Sequence, residues 1–581
     1  MDSYISALLN FTNKEYDSQV SDVLEMWDQS LAERLAHGVA VSGIQVDAVD
    51  PPYAQLRCPV NLSKFRVGDY LILHRGDPRG DLSYKCRLDQ DRDTLLRVRQ
   101  GYHVTFDRRL RGNGWILDRQ MMDLRKYIKE ALVQLDDGSS RSRRVLDILK
   151  GGVQPRYRSL NPERWKPVAD QNQFNPSQRE AFRKALAAEN FHLIQGPPGT
   201  GKTYLLAWLA DTLARQGQRV LITAFTHRAI NNALRKIGRE TGFGRVAKIG
   251  QQYRADDLTW KGGKIPNYEY GDQCPYHAEE GVILGGTCFS LRTNRLKGVH
   301  FDTVIFDEAG QIPLTLAAAG MLVGDRYLFI GDHKQMAPII TAEHDQVWVT
   351  RSVFETLFKH APGTMLEVTY RMNEEINRYP SRRFYGGKVK PSQNAKDRVL
   401  NLRGKPGKYG RFLGPSPASL FIQVDHPEEG MRSEEEAQIA AGIVREAVRR
   451  GLPEAGIAVV APYRAQVRLI RNALLEYGIE MGGQAVVVDT VERIQGQERD
   501  VIIFSLTTSD PEHAAERADF YFQPNRLNVA ITRPRVKRIV IGDHRLFDAA
   551  DHAPAYREWV EKFKGLWEDS EVVQWGRRKN L

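Results

Sequence analysis

The chain has 581 residues, with 83 Lys and Arg against 72 Asp and Glu, a formal net charge of +11, and four cysteines, Cys58, Cys86, Cys274 and Cys288. At roughly 150 residues per domain this length asks for several structural units, and the basic balance favours a polyanionic partner. Four scattered cysteines exclude a disulfide framework, and no long apolar run or basic leader is present, so the expectation is a cytoplasmic chain without a membrane partner.

Val20, Val23, Leu24, Trp27, Leu31 and Leu35 recur at helical spacing and predict one amphipathic helix over Tyr16 to Ala36, stopped at Gly38. From Val39 to about Phe106 the pattern turns to short β-like runs, Ile44 to Val49, Tyr70 to Leu73, Leu95 to Val98 and Tyr102 to Phe106, separated by turn signals. These predict a small β barrel. A second helix is predicted over Trp115 to Leu135, followed by a polar link, Gly138 to Arg144. The resulting divisions are a stalk helix at 1–38, a barrel at 39–112, and a second stalk helix with linker at 113–168.

Downstream, the strand-like runs Phe191 to Ile194, Arg219 to Thr223, Val282 to Leu284, Thr303 to Phe306 and Tyr327 to Ile330 alternate with helical stretches, as a parallel α/β sheet requires. A second series follows at Leu420 to Val424, Ile457 to Val460, Ala485 to Val488, Val501 to Leu506 and Arg538 to Ile541. The fold class is therefore α/β with two tandem domains, at 169–362, with a small insertion near 251–280, and at 363–581.

The stretch Gly196-Pro197-Pro198-Gly199-Thr200-Gly201-Lys202-Thr203 follows the first of these strands and opens a helix-patterned run. It is a nucleotide-phosphate cradle. Glycines let backbone N–H groups turn onto phosphates, the Lys202 ammonium reaches the β and γ phosphates, the Thr203 hydroxyl can bind Mg2+, and the helix start adds its positive dipole end. Val304-Ile305-Phe306 runs into Asp307 and Glu308, at the strand end where α/β folds place ligands. Asp307 is the expected Mg2+ partner and Glu308 the group that orients or deprotonates the attacking water. Gln335, after the strand ending at Ile330, is a candidate γ-phosphate sensor.

Together with Phe174-Asn-Pro-Ser-Gln178, Thr223-Ala-Phe-Thr226, Gly286-Thr287, Asp307-Glu-Ala-Gly-Gln311, Gly331-Asp-His-Lys-Gln335, Tyr370-Arg371-Met372, Gln495-Gly-Gln-Glu-Arg-Asp500 and Asn528-Val-Ala-Ile-Thr-Arg533, the chain resembles the superfamily 1B helicases, in the branch that holds the nonsense-mediated-decay helicase and senataxin. The resemblance covers nearly the whole chain. It implies two RecA-like P-loop domains with ATP between them, preceded by stalk and barrel. It further implies that Gln178 reads adenine, that Tyr370 stacks on the base, that Arg371 and Arg533 are arginine fingers, and that Glu498 lines the same cleft. Thr226, Thr287 and Thr490 would approach the backbone of single-stranded DNA or RNA, and the motor would be a monomer moving 5′ to 3′. Phe225, His227, Ala337 and Pro534 depart from the family's usual residues without removing a catalytic group.

Arg382 to Arg411 interleaves ten basic residues with Phe384, Tyr385 and Tyr409, a composition suited to binding single strands by charge and stacking. The expected activity is an ATP hydrolase and helicase or translocase. The alternatives are a translocase that remodels protein–nucleic-acid complexes without unwinding, and a non-catalytic ATP-switched clamp.

Overall fold

The computed structural model describes residues 2–61, 63–65, 67–92, 94–101, 104–252, 255, 257–427, 430–481, 485–494 and 496–576. The first helix, Ser3–Asp28, starts well before Tyr16 because Asp2 caps it, its side chain accepting from the Tyr4 amide at 2.9 Å. Ile5, Leu8 and Phe11 on that early turn are buried in the core of the first α/β unit. Leu31–Ala36 is a separate helix opened by a capping box between Ser30 and Glu33, so the continuous helix expected over Tyr16 to Ala36 is broken at Gln29 and Ser30.

A closed barrel follows, with strands in the order Ala40–Asp50, Tyr53–Arg57, Leu95–Gln100, Ser83–Arg92, Tyr70–His74 and Gly112–Arg119. The last strand corrects the helix expected from Trp115 and the barrel limit at 112. It pairs with both Ala40–Asp50 and Tyr70–His74, and it turns Trp115 and Leu117 inward at period two. The helix itself is confined to Arg125–Leu135, and most of the expected link is a further helix, Ser140–Leu149. Tyr102 lies outside the described residues, and 104–106 form no strand. Asp118 is fully buried, 2.6 Å from Arg34 Nη1 and 2.7 Å from His74 Nε2, which fastens the short helix to the barrel wall.

Two large parallel sheets, with two small two-stranded ones, organise the rest. The first runs Asn267–Tyr268, Val246–Ile249, Val282–Gly285, Arg219–Thr223, Phe301–Phe306, Gly324–Gly331, Phe191–Gln195, Thr364–Met365. Its edges come from the insertion on one side and from residues beyond 362 on the other, so the first unit reaches past its expected end. The second runs Val487–Thr490, Ile457–Ala461, Arg499–Ser505, Pro534–Gly542, Ser419–Gln423, Glu571–Gln574. Helices cover both faces of each sheet, so the central strands are apolar runs without alternation; Phe191–Gln195 is buried along its length.

The long first helix is clamped to the first unit by Glu15, whose carboxylate accepts from Thr341 N at 3.0 Å, Thr341 Oγ1 at 2.9 Å and Ala342 N at 3.0 Å, with His344 Nε2 at 2.8 Å. Among the described residues no helix is long and apolar enough to cross a membrane.

Candidate nucleotide site

Strand Phe191–Gln195 ends in the glycine-rich loop, and helix Lys202–Arg215 leaves it. Gly199 (φ +74°) and Gly201 (φ +84°) sit in left-handed conformations that L side chains rarely adopt. The loop is held from several sides: Gly196 N donates to Gly331 O at 2.9 Å, Thr200 Oγ1 to Pro197 O at 2.7 Å, and Lys202 Nζ folds back onto Gly196 O at 2.6 Å. Within it Pro197 and Pro198 are buried.

Gln178 lies behind this loop, and it does not line the cavity in front. Its Oε1 accepts from Asn175 N at 3.2 Å within a capping box, and its Nε2 donates to Thr200 O at 3.2 Å. In this conformation it buttresses the phosphate loop.

Asp307 and Glu308 leave the end of strand Phe301–Phe306 beside Lys202. Asp307 is buried, and that burial, reinforced by the Glu308 charge and only partly offset by Lys202, pushes its carboxyl up to about 7. Glu308 is half-buried and adopts φ 50°, ψ 41°, a left-handed backbone for a residue with a Cβ. Such strain persists where the surroundings over-determine it, and here it turns the glutamate into the cleft.

The second unit closes the other side. Thr369 Oγ1 donates to Pro198 O at 2.9 Å and Tyr370 N to Gly199 O at 2.8 Å, so the phosphate loop is gripped by the segment that leads into Tyr370 and Arg371. The Tyr370 ring stays exposed, its hydroxyl accepting from Asn175 Nδ2 at 2.9 Å. Arg371 Nε donates to Glu498 Oε2 at 2.9 Å and Nη1 to Thr532 O at 3.0 Å. Burial raises the Glu498 carboxyl, but Arg371, with Arg535 and Arg533, outweighs it and holds the group below its ordinary value. Arg533 is buried, with its Nη2 3.2 Å from Gln335 Oε1; desolvation, with Arg371 nearby, lowers it to about 9, which leaves it a cation at neutral pH.

One cavity of about 950 Å³ gathers Pro198, Gly199, Thr200, Gly201, Lys202, Thr203, Asp307, Glu308, Gln335, Tyr370, Arg371, Glu498 and Arg533. Tyr204, Asn232 and Lys236 also line it and were not singled out by the sequence, because single polar residues on a helix carry no motif. Asn175 could have been found, since an Asn three residues before Gln178 announces a helix cap. Among the described residues no set of three or more His, Cys, Asp or Glu could enclose a metal. The Thr203 hydroxyl and the Asp307 carboxylate instead offer two hard oxygen donors on one cavity wall, which fits Mg2+, an ion that takes one or two protein oxygens and completes its shell with water and phosphate.

The nucleic-acid candidates divide. Thr226 is exposed and opens on the same cavity, capping helix His227–Thr241 by accepting from Ala229 N at 3.2 Å. Thr287 follows the neighbouring strand Val282–Gly285, and its hydroxyl accepts from Ser290 N at 3.3 Å. Thr490, the last residue of strand Val487–Thr490, is buried. Gln495 lies outside the described residues.

The basic stretch is not a stacking platform. Phe384 and Tyr385 are buried in the second unit, and Tyr409 stacks on Trp575 with ring centroids 5.7 Å apart. Arg382 pairs with Asp569 at 2.6 Å and Arg398 donates to the backbone carbonyls of Tyr370 and Arg371, both at 3.1 Å. Composition suggested exposed rings, but those rings supply core packing.

Residues 349–545 match the AAA domain family AAA_12, and residues 173–389 match AAA_30, likewise an AAA domain. The chain is 28% identical over 451 residues to the DNA polymerase alpha-associated DNA helicase A of Schizosaccharomyces pombe, an alignment covering 67% of this chain and 66% of that protein. These matches are consistent with a superfamily 1 helicase. To the human DNA replication ATP-dependent helicase/nuclease DNA2 the chain is 29% identical over 401 residues, 63% of its own length and 37% of that protein's. It thus spans just under two thirds of the first relative and little more than a third of the second. Among solved structures, Arterivirus nonstructural protein 10 (helicase) aligns over 89% of this chain and 80% of that one, at 13% identity and a TM-score of 0.40.

Proposed function

We propose that this chain is an ATP-driven motor on single-stranded nucleic acid, which hydrolyses ATP with Mg2+ between its two α/β units and couples that turnover to 5′ to 3′ movement and duplex separation. One observation carries the reading: the phosphate loop and the acid pair enter the cavity from the first unit, while Arg371 and Arg533 enter it from the second. Phosphoryl transfer depends on positioning and charge stabilisation, so a site assembled from two units ties hydrolysis to their relative placement.

In this reading Lys202 holds the β and γ phosphates, Glu308 orients the attacking water, and Gln335 contacts the γ phosphate. Arg371 and Arg533 neutralise charge that develops on the transferring group, and Glu498 keeps Arg371 aimed. Thr203 and Asp307 would hold Mg2+, which supplies further charge neutralisation at the phosphate oxygens when bound. Tyr370 stacks on the base, and Gln178 supports the phosphate loop from behind; contact of Gln178 with adenine would require its amide to leave Thr200 and Asn175. Thr226, Thr287 and Thr490 meet the strand backbone, and the net charge of +11 favours a polyanion. The names of the relatives, both DNA helicases, support DNA over RNA.

The test is ATP turnover with and without single-stranded DNA and RNA, side by side and across a salt titration. Strand-stimulated turnover is expected, and Lys202→Ala or Glu308→Gln should abolish it; full activity in either variant sinks the reading. A tailed duplex then separates unwinding from translocation alone.

A further inference from the structure

The loop Asp332-His333-Lys334-Gln335, at the end of strand Gly324–Gly331, is bonded to the second unit at every residue. Asn525 Nδ2 donates to His333 O at 3.3 Å, Asn528 Nδ2 to Lys334 O at 2.7 Å, and Arg533 Nη2 to Gln335 Oε1 at 3.2 Å. The remaining bond comes from Tyr385, the last residue of helix Glu374–Tyr385, whose hydroxyl donates to Asp332 Oδ2 at 2.7 Å and accepts from Asn528 Nδ2 at 2.7 Å. We propose that Tyr385 is a positioning residue of the ATP site: its buried hydroxyl, held between Asp332 of the first unit and Asn528 of the second, sets how Gln335 faces Arg533. The proposal rests on the reading of this cleft as an ATP-hydrolysing site and deepens it.

The geometry leaves little freedom. Asp332 is buried, and the same Oδ2 that accepts from the tyrosine hydroxyl accepts from Gln335 Nε2 at 2.8 Å. Its other oxygen accepts from Gln195 Nε2 at 3.2 Å and Lys334 N at 3.1 Å. A carboxylate anchored on both oxygens is a fixed acceptor, so it holds the nitrogen end of the Gln335 amide and turns the oxygen end towards the Arg533 guanidinium. Burial, with Asp332 beside it, pushes the Tyr385 phenol well above its ordinary value, so the hydroxyl remains a donor at working pH. Tyr385 is not aimed at the nucleotide; it acts through Asp332. A displacement of Gln335 by a γ phosphate would therefore be felt at Asn528 and Arg533 through one buried network.

The decisive experiment is Tyr385→Phe, which removes one oxygen and keeps the ring. The strand-stimulated kcat should fall about tenfold while KM for ATP stays within about twofold, since alignment and not ground-state binding is lost. In a double-mutant cycle, Tyr385→Phe combined with Gln335→Ala should be no slower than Gln335→Ala alone. A purely structural role would instead lower the melting temperature and multiply the two losses. If the unmodified chain shows no strand-stimulated turnover, the functional reading fails. If it turns over normally and Tyr385→Phe keeps full kcat, or the losses multiply, the positioning role is overturned while the functional reading stands. Should Tyr385→Phe not fold, Asn528→Ser removes the donor on the other side of the hydroxyl and must show the same signature; a normal kcat there also overturns the proposal.

Discussion

Arg533 of the second unit donates from Nη2 to Oε1 of Gln335 in the first, across 3.2 Å, while its Nε is spent on Val529 O at 2.8 Å. The guanidinium therefore works as a fork, one prong fixed to the preceding helix Pro524–Ile531 and the other presented to the nucleotide side. A lysine has a single rotatable ammonium and cannot hold both positions. Arg533→Lys is expected to cut ATP turnover by about a thousandfold, the lower range for loss of an arginine finger, with a much smaller change in KM. Steady-state kinetics decide it, and turnover within tenfold of the parent would remove Arg533 from the catalytic set.

At Gly199 the segment from the second unit packs directly against the phosphate loop. A Cβ built there would lie 2.5 Å from Arg371 Cβ and 2.6 Å from Thr369 Oγ1, at φ +74°. Gly199→Ala should therefore lose nucleotide affinity by about tenfold or more, through strain in the loop and displacement of the Thr369 to Arg371 segment. Titration of a fluorescent nucleotide reads this directly; unchanged affinity would mean the segment moves aside without consequence.

The phosphate loop and the acid pair were legible in the sequence because their chemistry demands particular residues at fixed local spacing, whereas Arg371 and Arg533 stood out only through the family resemblance; the structure brings all of them to one cavity. The fold was legible where periodicity was strong, and it failed where two periods compete. Trp115 and Leu117, two residues apart, keep the period of a strand, but the helical period of Arg125–Leu135 follows closely and extended the expected helix back over them; their strand pairs with Ala40–Asp50 and Tyr70–His74. Tyr385 looked like a surface stacking residue because its neighbours are basic. Its partners Asp332 and Asn528 are 53 and 143 residues away, beyond the reach of any local pattern. Pro534 proved compatible with a buried Arg533, since it begins strand Pro534–Gly542, where a missing N–H costs little.

The barrel depends on a buried charge. Asp118 is paired with Arg34 and His74 and has no solvent exposure. Arg34→Met strands that carboxylate and should destabilise the barrel by about 3 kcal/mol, whereas Arg34→Met with Asp118→Asn should recover much of the loss because no buried charge remains. Hydrogen exchange across Ala40–Asp50 and Gly112–Arg119 measures both. Equal protection in the single and double variants would contradict the account.

His192 gives the first sheet a pH dependence of known sign. Its ring lies fully buried, with Nδ1 2.9 Å from the Tyr157 hydroxyl and Nε2 3.2 Å from Thr364 Oγ1, and burial lowers it from 6.5 to about 3. The folded state thus keeps the imidazole neutral while the unfolded chain takes up a proton below pH 6.5. Stability from this group is complete above the unfolded value and declines as pH falls from 6.5 towards about 3. At about pH 5 the linkage amounts to about 2 kcal/mol, before carboxylates begin to contribute strongly. His192→Gln retains hydrogen-bonding groups without a titrating one, so its urea midpoint should change less between about pH 7.5 and 5 than that of the parent. Parallel pH profiles for the two proteins would show that His192 is not the group responsible.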